Sequence, residues 1–454
     1  MKPQITFYGG VNSVTGANFL FEAQGKKILI DCGLEQGGEG ASLRNGKVFP
    51  YSPATIDFLF ITHAHMDHIG LIPKLVKEGF TGRIFSTPET KEITRLMLED
   101  AHRIMEYEAR NGGESELYSL PDLERAISIW ETIDYHKNMQ IAPELSVVAK
   151  DAGHILGSAM YEFEYEKGER VLFTGDLGNS PSVLMPDTEF VDDVDYIVME
   201  SVYGDRNHES KGERDRRFRD EINSTIKKGG TILIPAFSLE RTQTLLYELN
   251  ELIESKAIDE VPVFLDSPLA ISLTKIYKRM FLAFKKDVQT DINDGDEIFE
   301  FKGLKETPRA DDSKSIASQP GPKIIIAGSG MSTAGRILHH EKRYLPDSNA
   351  TVLITGYQSP GTLGRQIEEG AKEVEIEGSL IPVRARIVKI EGFSGHRDSD
   401  HLLEFVEKAA DGPLKQVFVV MGEPKASQFL AQRINDYIGV KAICPEAGKT
   451  YVLK

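Results

Sequence analysis

The sequence predicts an α/β protein of two interleaved domains, a regular strand–helix unit inserted into a domain of short strands. Three observations predict it. Up to about residue 208, short apolar runs at 5–7, 27–30, 56–61, 83–85 and 194–198 alternate with glycine-rich turns. From about residue 209 the rhythm becomes strand and helix in alternation, with strands at 231–234, 261–264, 323–326 and 351–354, the pattern of a parallel sheet. Ligand-type residues before position 180 and near position 396 serve one site, so the chain must return to its first domain after building the second. The expected boundaries are 1–208 for the first part, 209–372 for the insertion and 373–454 for the return.

Other elements follow in order. Thr87-Pro88 is an N-cap and first-turn pair, and Ile93, Leu96, Met97, Ala101, Ile104 and Met105 recur at helical spacing behind it, so a long amphipathic helix with a core-facing stripe is expected. The polar stretch 308–322 is expected to be a surface connection with one short helix.

The chemistry is concentrated in His63-Ala64-His65-Met66-Asp67-His68, directly after the apolar run 56–61. Three imidazoles and a carboxylate within six residues have few structural uses. A sharp turn after the strand lets His63 and His65 face one ion while Asp67 and His68, opening the next helix, face a second. Further donors stand at strand ends: His154 in Asp151-Ala152-Gly153-His154, Asp176 in Thr174-Gly175-Asp176, and His396 in Ser394-Gly395-His396. Alone, each would pass for a loop or capping residue.

Together with Asp31 in Ile30-Asp31-Cys32-Gly33, this order of residues resembles the metallo-β-lactamase superfamily. Met199-Glu200-Ser201-Val202-Tyr203-Gly204-Asp205, the 234–243 run, Leu265-Asp266-Ser267-Pro268, Gly328-Ser329-Gly330-Met331 and the 356–365 run are similar to segments of its β-CASP branch, whose members process RNA or DNA. The resemblance covers nearly the whole chain. It implies an αββα metallo-β-lactamase fold with an inserted parallel α/β β-CASP domain. It also implies two zinc ions per chain: His63, His65 and His154 on one, Asp67, His68 and His396 on the other, Asp176 bridging. The implied activity is a zinc-dependent ribonuclease that cuts single-stranded RNA with a metal-activated hydroxide, endonucleolytically or also from 5′ ends, leaving 5′-phosphate and 3′-hydroxyl groups. Asp67, Asp176, Glu200 and His396 are the implied catalytic set. Asp31 and Glu200 orient ligand imidazoles by accepting their other N–H.

Two positions depart from the pattern. Gln366 stands where the eukaryotic pre-messenger-RNA 3′-end cleavage enzyme has a His, and Met421 stands where a His is common. Glutamine is no acid, so the donor to the leaving oxygen is open.

RNA contact is expected from Ser329, Gly330, Ser332, Thr333, Arg336, Gln366 and Arg397. A glycine- and hydroxyl-rich loop between strand and helix suits a phosphate, and Arg336, His339, His340, Lys342 and Arg343 form a basic cluster behind it. Such local contacts are needed because 53 basic against 70 acidic residues leave a net charge of −17, which repels a polyanion at long range.

The 454 residues at 40% hydrophobic content can build two cores. Two cysteines imply no disulfide framework, and with no apolar leader or membrane-length run the expectation is a cytoplasmic protein without membrane partners. The oligomeric state is open, a homodimer among the options. Three functions fit the sequence: the ribonuclease, a hydrolase of another phosphodiester or ester on the same metals, and a non-catalytic RNA-processing subunit, against which the full ligand set speaks.

Overall fold

The computed structural model describes residues 2–37, 40–113, 115–166 and 168–454. Two compact units emerge: Met1–Gln36, Gly40–Asn207 and His396–Lys454 form one, Gly37–Glu39 and His208–Gly395 the other.

The first unit opens with β1 (Gln4–Phe7), β2 (Phe19–Ala23), β3 (Lys26–Ile30), β4 (Phe58–Phe60), β5 (Arg83–Ser86) and β6 (Trp130–Thr132), and continues with β7 (Met139–Ala142), β8 (Leu145–Asp151), β9 (Ala159–Tyr165), β10 (Glu169–Phe173) and β11 (Tyr196–Met199). The second unit holds β12 (Thr231–Pro235), β13 (Val263–Asp266), β14 (Leu304–Glu306), β15 (Lys323–Ala327), β16 (Thr351–Ile354), β17 (Glu373–Ile376), β18 (Ser379–Pro382) and β19 (Arg386–Lys389). The chain then returns for β20 (Gln416–Val419), β21 (Lys441–Ile443) and β22 (Thr450–Val452).

In the first unit two seven-stranded sheets, β22-β1-β2-β3-β4-β5-β6 and β21-β20-β11-β10-β9-β8-β7, face each other. Between them lies a largely aromatic core, with Phe7, Phe21, Phe60, Phe163 and Phe173 all buried. The outer face of the first sheet is covered from Ile69, Leu75, Leu98 and Leu123, and that of the second from Leu402, Phe405 and Leu430. This is the αββα arrangement that the resemblance implied. The long helix runs Pro88–Arg110, with the Thr87 side chain accepting from the Thr90 N–H as its cap; Ile93 and Leu98 are buried, whereas Ile104 is half exposed.

Pairing direction positions the site. β3 and β4 are parallel, as are β10 and β11, so the residues after each pair leave the sheet on the same edge. Asp31 thus comes beside Thr62 and His63, and Asp176 beside Glu200.

The second unit is a parallel sheet of order β14-β13-β15-β12-β16-β19 with a separate β17-β18 hairpin. Residues 373–395, assigned from sequence to the return of the first domain, lie here instead, because β19 adds in parallel to β16 through the Thr351 to Arg386 register. The 308–322 connection carries one short helix, Ala310–Ser315, and a 3-10 turn. Among the described residues no helix is long and apolar enough to cross a membrane.

Candidate metal centre

The strand-end segments singled out for ligands converge within the first unit. Asp176 Oδ2 is the hub: His63 Nε2 lies 3.3 Å away, His68 Nε2 3.5 Å, His154 Nε2 3.7 Å and His396 Nδ1 3.9 Å. His65 turns its Nδ1 to His63 Nε2 at 3.1 Å and to His154 Nε2 at 3.3 Å. Among the described residues two sets of donor atoms are compact enough to share a cation, one from His63, His65, His154 and Asp176, the other from Asp176, Glu200 and His396. Asp67 stands near the same hub, its Oδ2 3.9 Å from His68 Nε2.

Local sequence explains these positions. Cys32 N–H donates to the His68 carbonyl and Ala17 N–H to that of Asp67, which lashes the His-rich turn to the segments flanking β2 and β3. Gly33 is required there: a Cβ at that position would sit 1.5 Å from the Asp67 carbonyl oxygen. His396 reaches the hub through a single bridge to Gly178 beyond Asp176, while Tyr203 pairs with Asp398.

Burial and hydrogen bonding set the electrostatics. His63 and His68 are fully buried, and Asp176, Glu200 and His154 nearly so. Burial, reinforced by neighbouring imidazoles, pushes the His63 pKa down and that of His65 well down, leaving neutral rings with lone pairs to offer. Burial opposes ionisation of Asp176, yet His68 and His63 outweigh it and hold the carboxyl well below the usual range. Burial likewise opposes charge on His396, but Glu200 and Asp176 raise its pKa to about 9. Glu200 itself is raised by burial, against His396.

Around this hub Asp31 accepts from His68 Nδ1 at 2.7 Å and from the Thr62 N–H and hydroxyl at 2.8 Å each. Glu200 accepts from Leu177 N–H at 2.7 Å and faces His396 Nδ1 at 3.2 Å. Thr62, whose hydroxyl also lies 3.0 Å from His63 Nδ1, was not singled out from sequence. Only its place just before the His-rich run could have flagged it.

The donor set fits a metal. Imidazole nitrogens and carboxylate oxygens are the ligands zinc takes. The buried Asp176 Oδ1 and His68 Nε2 have no hydrogen-bond partner among the described residues, an arrangement that a cation would satisfy.

The residues expected to meet RNA fare differently. Arg397 is 2% exposed, with Nε donating to the Gly178 carbonyl and the guanidinium 5.3 Å from the Phe190 ring centroid; it braces the first unit and cannot reach a phosphate from there. Arg336 is committed as well, donating to Asp266 at 2.7 Å and to the carbonyls of Thr307 and Pro308. His340 joins it on Asp266, Lys342 pairs with Glu377, and Arg343 donates to the Ala317 carbonyl. Arg336 and His340 are therefore spent on the buried Asp266, whereas Lys342 and Arg343 make exposed surface contacts and His339 stands exposed. Ser332 is 2% exposed and bonded to Glu341, and Gly330 is buried against Phe237. Ser329 remains partly exposed and Thr333 exposed, their hydroxyls 3.1 Å apart, and Gln366 lies exposed on the helix Leu363–Glu368.

Comparison with known proteins agrees with this picture. Residues 14–222 match the model of the metallo-beta-lactamase superfamily, 242–367 the Beta-Casp domain, and 380–445 the Zn-dependent metallo-hydrolase RNA specificity domain. The chain is 35% identical to Ribonuclease TTHA0252 of Thermus thermophilus over 89% of its own length and 90% of the relative's. It is 30% identical to an RNase J-like protein of Methanocaldococcus jannaschii, covering 98% of both. With transcription termination factor FttA of Methanosarcina mazei it shares 31% identity over 95% of this chain and 68% of the relative. A crystal structure of a protein of unknown function from Enterococcus faecalis V583 shares the fold, with a TM-score of 0.57 at 14% identity over both whole chains. The chain belongs to the β-CASP branch of the metallo-β-lactamase superfamily and is a metal-dependent hydrolase.

Proposed function

We propose that this protein is a zinc-dependent ribonuclease that hydrolyses internal phosphodiester bonds of single-stranded RNA, with 5′-exonucleolytic trimming as a second mode of the same site. The observation that carries the reading is the convergence of four imidazole nitrogens within 3.3–3.9 Å of one buried carboxylate oxygen, Asp176 Oδ2. Its relatives named as ribonucleases, and the RNA specificity model over 380–445, support RNA as the substrate.

In this assignment His63, His65, His154 and Asp176 hold one zinc, and Asp67, His68, His396 and Asp176 the other. When bound, two such ions lower the pKa of water towards about 7 and neutralise charge that develops on a phosphodiester. The chain's own residues do the rest. Asp31 fixes the tautomer and tilt of His68 by accepting its Nδ1 proton, and Thr62 holds Asp31 in register. Glu200, tethered by the Leu177 N–H, faces the same His396 nitrogen, Nδ1, that lies nearest Asp176, and is the buried group beside it able to accept a proton. Ser329 and Thr333 offer hydroxyls to a phosphate of the substrate.

The test is cleavage of a labelled single-stranded RNA with both product ends mapped, alongside single-stranded DNA and a generic phosphodiester. Internal cuts leaving 5′-phosphates, about two zinc ions per chain, and loss of cleavage in a folded Asp176→Asn variant are expected. Hydrolysis of the small phosphodiester without RNA cleavage would move the protein to another substrate class.

A further inference from the structure

The second unit presents RNA with a difficulty: two members of its basic cluster, Arg336 and His340, are tied up on the buried Asp266, and the whole chain carries a net charge of −17. Affinity for a single strand then gains from contacts beyond phosphate charge. Aromatic stacking is the other large contribution in single-strand recognition, because every base has a π-face.

One aromatic residue is set up for it. Phe237 follows β12, the strand lying between β15 and β16 in the sheet. Beyond β15 comes Gly330 and beyond β16 comes Gly356, and both face this ring. A Cβ on Gly330 would lie 2.8 Å from Phe237 Cδ2, and one on Gly356 would lie 3.5 Å from its Cε2. A side chain at Gly330 would thus displace the ring. Gln358, 2% exposed, ties the two walls together by donating from Nε2 to the Gly330 carbonyl at 2.9 Å and the Gly356 carbonyl at 3.3 Å. The Phe237 carbonyl is held in turn by the Thr242 hydroxyl at 2.8 Å. Phe237 stays partly exposed and stands outside the core cluster that the same strands build from Leu233, Ile325 and Val352.

The location has its own logic. From β12 the chain leads to β13 on one side of the sheet, and from β16 to β19 on the other, so the loops after these neighbours diverge. Crevices that take ligands in parallel sheets lie at that kind of switch point, outside the carboxyl ends of the strands. Ser329 and Thr333 lie on the same edge, on the loop after β15.

We infer that Phe237 is a stacking subsite for one nucleobase of single-stranded RNA, with Gln358 as the positioning residue that braces its two glycine walls. The inference rests on the ribonuclease reading above. It asks the site to take a base without reading its identity, since a phenyl ring offers no hydrogen bonds.

Binding is measured in the cleavage-deficient Asp176→Asn background with a short single-stranded RNA. Phe237→Leu should weaken binding about tenfold, within the range that loss of one stacked base gives, and raise KM in the active enzyme with kcat unchanged. Phe237→Trp should retain the affinity, and the fluorescence of the indole it introduces should be quenched by RNA; the chain's one natural tryptophan, Trp130, is buried in the first unit and supplies a constant background. An abasic ribose–phosphate chain of equal length should bind the parent and Phe237→Leu alike. If the parent binds the RNA and Phe237→Leu binds it equally well, or if the emission of the Phe237→Trp variant does not respond to bound RNA, the stacking subsite is wrong and the ribonuclease reading survives. If the parent neither binds nor, in its active form, cleaves RNA, both fall together.

Discussion

Asp31 Oδ2 accepts the Nδ1 proton of His68 at 2.7 Å, with both residues buried and thirty-seven positions apart in the chain. A carboxylate only accepts, so Nδ1 carries the proton and Nε2 is the atom turned towards Asp176, 3.5 Å away. The orientation of the His68 imidazole is thus decided by a residue on the side of the ring away from Asp176.

Asp31→Asn should therefore lower metal affinity at the position served by His68 by roughly 10- to 100-fold, the usual cost of losing such a partner. The amide leaves the fold intact but puts an N–H donor against either Thr62 or His68. Competition with a chelator, followed by metal analysis, measures it. Wild-type metal retention in the variant would show that Asp31 serves only to hold Thr62.

Arg336 turns the usual expectation for a basic residue near a nucleic-acid site around. Its guanidinium lies on Asp266, which also accepts from Thr307 at 2.7 Å, Ser313 at 2.6 Å and His340 at 2.7 Å. Removing one partner of a buried charge costs more than the bond is worth, so Arg336→Ala should destabilise the protein by about 2–3 kcal/mol. The salt dependence of RNA binding should stay as it was, because no phosphate contact is lost. Urea unfolding and a salt titration of binding separate the two roles; a shallower salt slope at unchanged stability would restore Arg336 to the RNA face.

Much of this centre was legible in the sequence because it is local. His63, His65, Asp67 and His68 lie within six residues, and the ends of β8 and β10 bring His154 and Asp176 to the same edge, while His396 joins them through its bridge to Gly178. What sequence could not deliver depends on who meets whom in three dimensions. Nothing near Arg336 announces Asp266, seventy positions earlier, and nothing around Arg397 announces the Phe190 and Phe405 rings that bury it. The same holds for β19: its short apolar run gave no sign that it would extend the second sheet. Charge in a sequence is visible; whether it is already spent is not.

Glu200 and Gln366 should differ in their catalytic weight. Glu200 is buried and bonded to Leu177 and His396, whereas Gln366 is exposed on its helix. In single-turnover cleavage, which keeps product release from masking the chemical step, Glu200→Gln should lose far more than Gln366→Ala. A Gln366→Ala loss as deep as that of Asp176→Asn would make Gln366 part of the essential chemistry.

The last prediction concerns pH and the loop after β15. Glu341 is fully buried on the helix Ile337–Tyr344, with Oε1 bonded to the Ser332 hydroxyl and Oε2 without a hydrogen-bond partner among the described residues. Burial lifts its pKa to about 7, and the Ser332 bond only partly opposes the rise. The sign follows from linkage. In the unfolded chain this carboxyl ionises near its ordinary value of about 4.3, while the folded protein keeps it neutral until about pH 7, so the folded state binds the extra proton in between. Stability is therefore highest below the unfolded value and declines as pH rises through about 7, by roughly 3–4 kcal/mol in all. Glu341→Gln removes that slope. Its amide still accepts from Ser332 but leaves N–H groups unpaired where Oε2 lay, a cost of about 1–3 kcal/mol that is the same at every pH. Relative to the wild type, the variant should thus gain stability steadily between about pH 5 and about pH 7.5, as read by urea unfolding at a series of pH values. Parallel curves for the two proteins over that range would mean that Glu341 ionises in the folded state as it does in the unfolded one.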